Sequence, residues 1–557
     1  MTIGSRIAAA LVRLPAPRTT NVAVERDLAV PMPDGAVLLA DRWFPARRRD
    51  AVPTVLVRTP YGRRVVGPLG RLYAERGYQV VIQSCRGTFG SGGPWSPMRH
   101  EQDDGRATLA WVAAQPWFDG RLVMWGGSYL GMTQWAVAED APEFLKALCL
   151  QVTASDFRAV VLPGGSFALE TAVAWLHQLR YQEEGWRAVL RAQLRSDKVV
   201  RAACDTLPLG ECDLAAIGRP VPFYREWLAH TEPGDDWWEP VNFGRRLGSV
   251  PPSSLIAGWY DLFLPAQVAD YVALRRAGRP ARLTIGPWTH SSPGLFAETV
   301  RDGPAWWAEQ LGTGHVAEPR APVRVFVMGS HTWQEFSMWP PAGETQQWYL
   351  GRWGTLDTAP PEDSAPDRYR YDPRQPTPAV GGATLNPRRA GRKDQRRREH
   401  RHDVVTYTSP VLSEDLTVIG PLTTTLYFRS SLEHTDVVVR LCDVDAKGRS
   451  SNLSDGVVRL APGSVPEDED GVGVLEIAMW PTANTFRAGH RIRLQVSSGA
   501  HPLVARNPGT GEPPATGTDL RAADQEVFHD TARPSHVALP VVRLLQDEQI
   551  DGGGPVR

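Results

Sequence analysis

Lysine is nearly missing from this chain. Four residues (Lys146, Lys198, Lys393, Lys447) stand among 61 basic side chains, leaving 57 arginines. The skew runs through the whole sequence, so it marks base composition rather than any one site. An excess of either charge is missing too: 61 basic residues meet 62 acidic ones, for a net charge of −1. That balance removes the main ground for a nucleic-acid or anionic-membrane partner. Cysteine is scarce, at 5 in 557 residues. Cys85, Cys149, Cys204, Cys212 and Cys442 are odd in number and show neither C-x-x-C nor Cys/His ligand spacing. No disulfide framework is expected at this size, and the reducing cytoplasm is the simplest home. No apolar run reaches the length of a membrane span. Near the N-terminus, Ile7-Ala8-Ala9-Ala10-Leu11-Val12 is ended by Arg13, too short for a signal-peptide core. It reads as a loose arm or a short helix.

What is present describes a large folded chain. Hydrophobic residues make up 42% and charged residues 22%, neither disordered nor fibrous. At roughly 100–200 residues per domain, the length suggests about three domains. Tryptophan is high at 20, which hints at apolar pockets and identifies none.

The first 150 or so residues alternate strands with helices. Pro53-Thr54-Val55-Leu56-Val57-Arg58, Tyr78-Gln79-Val80-Val81-Ile82-Gln83 and Leu122-Val123-Met124-Trp125 are compact apolar runs bounded by turn residues. Residues 70–76 and 104–115 read as amphipathic helices between them. This alternation predicts a parallel sheet covered on both faces. From about Asp156 to Arg246 the pattern turns helical, with 170–201 almost all helix-forming and Trp175, Leu179, Trp186, Val189 and Leu190 spaced for one face. Strands resume at Ser254-Leu255-Ile256-Ala257 and Arg282-Leu283-Thr284-Ile285. A sheet interrupted in this way predicts a helical cap. After about Thr345 helices vanish and strands follow, as in Arg491-Ile492-Arg493-Leu494-Gln495-Val496, which alternates polar and apolar residues. An all-β sandwich with jelly-roll connections is expected there. The basic run at 388–402 is expected to be a solvated loop.

One local signal carries chemistry. Gly126-Gly127-Ser128-Tyr129-Leu130-Gly131 follows a strand directly and opens a helix over 132–138. That context suits a nucleophile elbow, although the second glycine comes one residue later than in G-x-S-x-G. Serine needs a base oriented by a third group, and in this fold class the acid and then the histidine follow at strand carboxyl ends. Gly258-Trp259-Tyr260-Asp261 and Gly286-Pro287-Trp288-Thr289-His290 place Asp261 and His290 at such ends. Each residue alone reads as a cap or a structural side chain. Their types, order and positions together predict a Ser128–Asp261–His290 triad.

These segments resemble the cocaine esterase family of α/β-hydrolases, related to the X-Pro dipeptidyl-peptidases and the α-amino-acid ester hydrolases. Arg58-Thr59-Pro60-Tyr61, Gln83-Ser84-Cys85-Arg86-Gly87, Phe326-Val327-Met328-Gly329, Ala488-Gly489-His490-Arg491-Ile492, Arg506-Asn507-Pro508-Gly509-Thr510-Gly511 and Pro534-Ser535-His536 match as well, in order, over about 28–542. The resemblance implies an α/β-hydrolase in two parts (1–155 and 247–344), a helical cap (156–246) and a C-terminal jelly roll (345–557). It implies Ser128 as nucleophile, His290 as base, Asp261 as orienting acid, and an oxyanion hole from the Tyr61 hydroxyl and the Tyr129 N–H. Read alone, Tyr61 is a turn aromatic. Trp175, Phe263, Trp259 and Leu385 are expected at the substrate pocket. Asn386 stands where benzoyl-binding relatives carry an aromatic, and Leu130 replaces the acidic residue of the amino-acid ester hydrolases.

The expected activity is cofactor-free hydrolysis of a small ester through an acyl-enzyme. Two alternatives stay open: the same triad as an amidase, aminopeptidase, acyltransferase or cyclising enzyme, and a catalytically silent binding protein. No metal is expected, and a homodimer is implied by the resemblance only. Gly87-Thr88-Phe89-Gly90-Ser91-Gly92-Gly93 lacks the order of a dinucleotide loop, and Glu399-His400-Arg401-His402 lacks a third metal ligand.

Overall fold

The computed structural model describes residues 3–46, 51–313 and 320–544. A ten-stranded sheet holds β1 (Val22–Pro31), β2 (Val37–Pro45), β3 (Thr54–Thr59), β4 (Gln79–Ser84), β5 (Leu122–Gly127), β6 (Leu145–Gln151), β7 (Ser253–Tyr260), β8 (Ala281–Thr289), β9 (Val323–Val327) and β10 (Thr332–Phe336). Their order is β1-β2-β4-β3-β5-β6-β7-β8-β9-β10. Strands β3 to β9 pair in parallel, and β1, β2 and β10 are antiparallel additions at the edges. Every residue of β3, β4 and β7 is buried. Helices on both faces demand that, and it explains why these strands read as continuous apolar runs. The chain order reverses between β4 and β5, on either side of β3, where an open α/β sheet leaves a crevice at its carboxyl ends.

Helix α1 (Ile3–Leu11) is the short N-terminal helix, tied by Ser5 Oγ to buried Glu75. Helix α2 (Arg63–Ala74) starts well before the expected 70–76, with Pro68 inside it. Helices α3 (Glu101–Ala113) and α4 (Tyr129–Ala138) complete the first half. Between β6 and β7 lie α5 (Phe157–Val161), α6 (Leu169–Tyr181), α7 (Trp186–Cys204), α8 (Cys212–Ile217) and α9 (Pro222–Ala229), the inserted cap. The expected single helical stretch is two helices, broken at Gly185 with φ 88°. Its expected apolar face is also only half right, because Leu190 is 48% exposed. Helices α10 (Leu264–Arg276) and α11 (Pro293–Gln310) follow β7 and β8.

Among the described residues the C-terminal domain is all-β apart from two short helical turns, Arg352–Gly354 and Arg396–Glu399. Its strands are β11 (Glu344–Gly351), β12 (Thr355–Asp357), β13 (Asp367–Tyr371), β14 (Val404–Thr408), β15 (Leu416–Ser430), β16 (Thr435–Val444), β17 (Ser450–Leu460), β18 (Gly473–Phe486), β19 (Arg491–Ser497), β20 (Ala523–Phe528) and β21 (His536–Val541). Strand β21 pairs with both β11 and β15, which closes most of the sheet into a barrel-like circuit, while β13 and β20 branch off β15 and leave β13 as an edge strand. Backbone hydrogen bonds join this domain to the rest: Met328 N–H to Ala483 O (2.9 Å), Glu170 N–H to Pro502 O (2.9 Å) and Ala505 N–H to Phe167 O (2.8 Å).

The basic run at 388–402 is not a solvated loop. Arg389 reaches cap residue Glu170, Arg392 reaches Asp443, and Arg398 is 2% exposed with Ser497, Gln495 and Pro378 O around it. Charge density alone could not reveal that these guanidinium groups meet acceptors distant in sequence.

Candidate active site

Ser128 sits between β5 and α4 with φ 58° and ψ −127°, a conformation that costs a non-glycine residue of order 1–3 kcal/mol. The surrounding chain holds it there. Its N–H donates to Gln151 O (2.9 Å) and Val152 O (3.1 Å). Its carbonyl accepts from Gly131 N–H (2.9 Å), Met132 N–H (3.1 Å) and the Thr153 hydroxyl (3.0 Å). Glycine is required on either side of this turn. A Cβ on Gly126, at φ 149°, would overlap Leu130, and one on Gly131 would lie 2.5 Å from the Thr153 Cβ. The displaced second glycine therefore answers to Thr153 on the neighbouring strand end.

Asp261 follows β7 and is fully buried. Its Oδ1 accepts the Phe263 N–H at 2.9 Å, and its Oδ2 lies 2.6 Å from His290 Nδ1. With Nδ1 committed to the carboxylate, the other imidazole nitrogen is left for the cavity, which His290 lines together with Ser128, Tyr61 and Tyr129. The Phe263 ring packs 5.7 Å from the imidazole centroid and fixes its plane.

Tyr61 lies just beyond β3, and its hydroxyl oxygen accepts the Trp175 indole N–H at 3.2 Å. Burial pushes its phenol up to about 12, against the opposing pull of hydrogen bonds with Trp175 and Ser128. The group is thus a neutral donor at ordinary pH, with its proton free to point at Ser128. Tyr129 is anchored differently. Its hydroxyl donates to Glu101 (2.8 Å), and Glu101 pairs with buried Arg58 at 2.9 Å. Tyr129 is the first residue of α4, so its own N–H has no acceptor within the helix.

The cavity encloses about 250 Å³. Trp175, Trp227, Phe157, Phe263, Met132 and Leu385 make it largely apolar, with Trp175 and Trp227 stacked at 6.0 Å. Gln178 and Thr171 add polar contacts, and among the described residues no Asp, Glu, Lys or Arg lines it. The structure thus brings Ser128, His290, Tyr61, Tyr129, Trp175, Phe263 and Leu385 to one cavity, with Asp261 behind the imidazole.

Trp259 is a correction. Its indole N–H donates to Phe326 O at 2.7 Å and its ring packs near Trp339, so it does not line the cavity. Nearness to Asp261 in sequence was a poor guide, because the register shifts between Gly258 and Tyr260 and the strand ends at Tyr260, so strand alternation does not relate the two positions. Trp227, Phe157, Met132 and Gln178 were missed. In sequence the first three look like any core residue of a cap or elbow helix and Gln178 like any exposed polar one, and only the folding of α5, α6, α9 and α4 around one space gathers them.

A serine at a strained strand–helix turn, facing an Asp-bound histidine under a helical cap, defines the class of α/β-hydrolases. Residues 34–292 match the X-Pro dipeptidyl-peptidase (S15 family) domain, and residues 315–538 match the X-Pro dipeptidyl-peptidase C-terminal non-catalytic domain. The cocaine esterase of Rhodococcus sp. (strain MB1 Bresler) is 32% identical over 94% of this chain and 99% of its own length. An α-amino acid ester hydrolase superposes with a TM-score of 0.78 at 22% identity, covering 95% of this chain and 98% of that one. An aminopeptidase of a marine-sediment Thaumarchaeota archaeon gives 0.77 at 22% identity, with the same coverage. The chain belongs to the cocaine esterase family of α/β-hydrolases and is an esterase-type hydrolase. Among the described residues, no helix is long and apolar enough to cross a membrane.

Proposed function

We propose that the enzyme cleaves small, largely neutral carboxylic esters through an acyl-enzyme on Ser128, without a cofactor. The observation that carries this is the 2.6 Å contact between buried Asp261 and His290 Nδ1, with the imidazole opening on the cavity that holds Ser128. Ser128 Oγ attacks the ester carbonyl carbon while His290 takes its proton. The oxyanion that forms accepts from the Tyr61 hydroxyl and the Tyr129 N–H. Collapse breaks the C–O bond to the leaving alcohol, which His290 protonates. Water, deprotonated by His290, then releases the acid. Asp261 keeps the imidazole in one tautomer and stabilises its cationic form.

The domain boundaries we assign to this machinery are 1–155 and 247–344 for the hydrolase, 156–246 for the cap and 345–557 for the jelly roll, with 1–2, 47–50, 314–319 and 545–557 lying outside the described residues. Five buried thiols, none in a disulfide, favour a reducing compartment. An ester is preferred over an aminoacyl or peptide substrate because, among the described residues, the cavity offers no carboxylate to a substrate ammonium. A fluorophosphonate probe should label the wild type and not Ser128→Ala. That variant should also lose the p-nitrophenol burst, and turnover by about 10⁴-fold or more. Equal turnover by Ser128→Ala would overturn the reading. Added alcohols or amines should not divert the product, and a transfer product would move the assignment to an acyltransferase.

A further inference from the structure

Behind the main cavity lies a second, narrower one of about 60 Å³, in the seam between the cap and the C-terminal domain. Val160, Ala168, Thr171 and Leu262 line both spaces, so nothing thicker than these side chains parts them. The far walls come from the C-terminal domain: Val438, Val457, Trp480, Leu503 and Val504. Cap residue Pro163 closes one side, and the next residue, Gly164, lies so near to the β17 backbone that a Cβ would run into the Val457 carbonyl. Among the described residues Asp455 is the one charged residue at this space, and Arg440 already engages both its oxygens, at 2.5 and 2.8 Å. A space walled in this way offers ordered water few partners and favours an apolar occupant.

Its size narrows the occupant further. About 60 Å³ is well short of the ~150 Å³ cavity that holds a benzene ring, whereas a chain one methylene wide needs only a passage. Two of the shared residues sit on the same short stretch of helix as aromatic walls of the reacting cavity, Val160 with Phe157 on α5 and Thr171 with Trp175 on α6, and Trp175 is a residue expected at the substrate pocket.

Resting on the esterase reading above, we propose that the second chamber receives the tail of a linear acyl chain, so that the substrates are alkyl-chain rather than compact aromatic acid esters. Val160, Ala168, Thr171 and Leu262 form the threshold the chain crosses. Leu503, half-buried at the far wall, sets how much of it fits.

The test is a p-nitrophenyl ester series from acetate to decanoate. Wild-type kcat/KM should rise about fourfold per methylene, the ratio that ~0.8 kcal/mol per buried CH₂ gives, until the chamber is full. Leu503→Trp, which fills the chamber, should lower the octanoate-to-acetate ratio of kcat/KM by tenfold or more. Leu503→Ala should shift the best chain length upward, which keeps the test alive if the tryptophan variant folds poorly. A flat wild-type profile overturns the proposal, as does an octanoate-to-acetate ratio that neither variant changes. Chain-length dependence in an alkyl acetate series, with none in the acyl series, would overturn it too by placing the leaving alcohol in the chamber. Failure of the fluorophosphonate probe to label Ser128 would instead strike the esterase reading itself.

Discussion

At the scale of single residues, Tyr61 decides how far the site can be read as an oxyanion hole. A phenol is useful there only if it stays protonated and its hydrogen points at the reacting oxygen. The first holds for any phenol near neutral pH, and burial extends it to alkaline pH by pushing the pKa from 10.0 up to about 12. The Trp175 indole secures the second, since a hydroxyl oxygen that already accepts a hydrogen bond at 3.2 Å turns its own hydrogen elsewhere. Tyr61→Phe should therefore lower kcat by about 10²–10³ with little change in KM, the loss expected for one oxyanion donor. Trp175→Phe, which leaves the hydroxyl without its orienting donor, should lower kcat less and raise KM as well, because Trp175 also walls the cavity. Steady-state kinetics on one short ester separates the two, and an unchanged kcat in Tyr61→Phe would remove Tyr61 from the mechanism. Little of this was legible in the residues themselves. Tyr61 alone looked like a turn aromatic, and only its place in the family pattern singled it out. Ser128 stood out only in company, because small residues between a strand and a helix more often make a plain connector, and Asp261 and His290 following at later strand ends set this one apart. Trp259 misled because sequence order does not say which face of a strand end a ring takes.

At the scale of elements, the cap hangs from one junction. The chain leaves β6 through Ser155 and Asp156 and returns at Asn242 and Phe243, where Phe243 N–H donates to Ser155 O at 2.9 Å and Asp156 bridges Asn242. Asp270 on α10 holds the outgoing strand, accepting from Ser155 N–H at 2.9 Å and from the Ser155 hydroxyl at 2.6 Å. Burial raises the Asp270 carboxyl from 3.8 to about 7, opposed by the Ser155 hydrogen bonds and helped by the neighbouring Asp156 charge. Between 3.8 and about 7 the unfolded chain has lost this proton while the folded chain keeps it, so this group makes stability fall as pH rises through that window. Above about 7 the loss is complete and the contribution levels off. Asp270→Asn keeps the shape without the titration, so its Tm should change less than the wild type's between about pH 5 and pH 8. Parallel Tm curves for the two proteins would show that Asp270 does not titrate there. None of this junction stood out in sequence. The strands of the sheet did, because complete burial writes itself as apolar runs, and the helices were legible in type more than in extent. Helix α2 began early despite Pro68, where packing against the sheet outweighs propensity, while Gly185 split what looked continuous by taking a left-handed backbone at φ 88° that helix cannot hold.

At the scale of the whole molecule, arginine is the residue that joins the parts. Arg440 with Asp455 and Arg459 with Asp436 lock the C-terminal domain internally, each through a two-pronged contact that lysine could not make. Arg389 reaches out of that domain to Glu170 at 2.8 Å, in the first turn of the cap helix that carries Thr171, Trp175 and Gln178. The position of the reacting cavity's aromatic wall thus depends on an ion pair between domains. Glu170 is 3% exposed and Arg389 20%, so removing the carboxylate strands a guanidinium that water reaches only in part. Breaking a fully buried pair costs ~3–5 kcal/mol, and the partial exposure of Arg389 puts Glu170→Gln at the low end, about 3 kcal/mol. Glu170→Leu with Arg389→Met, which leaves no charge behind, should recover most of that loss. Urea midpoints followed by tryptophan fluorescence rank the three proteins. The single variant should also lose kcat/KM in step with the displaced Trp175, and the double variant should regain part of it. A Glu170→Gln midpoint equal to the wild type's would mean that the backbone bonds between cap and C-terminal domain hold α6 without the pair.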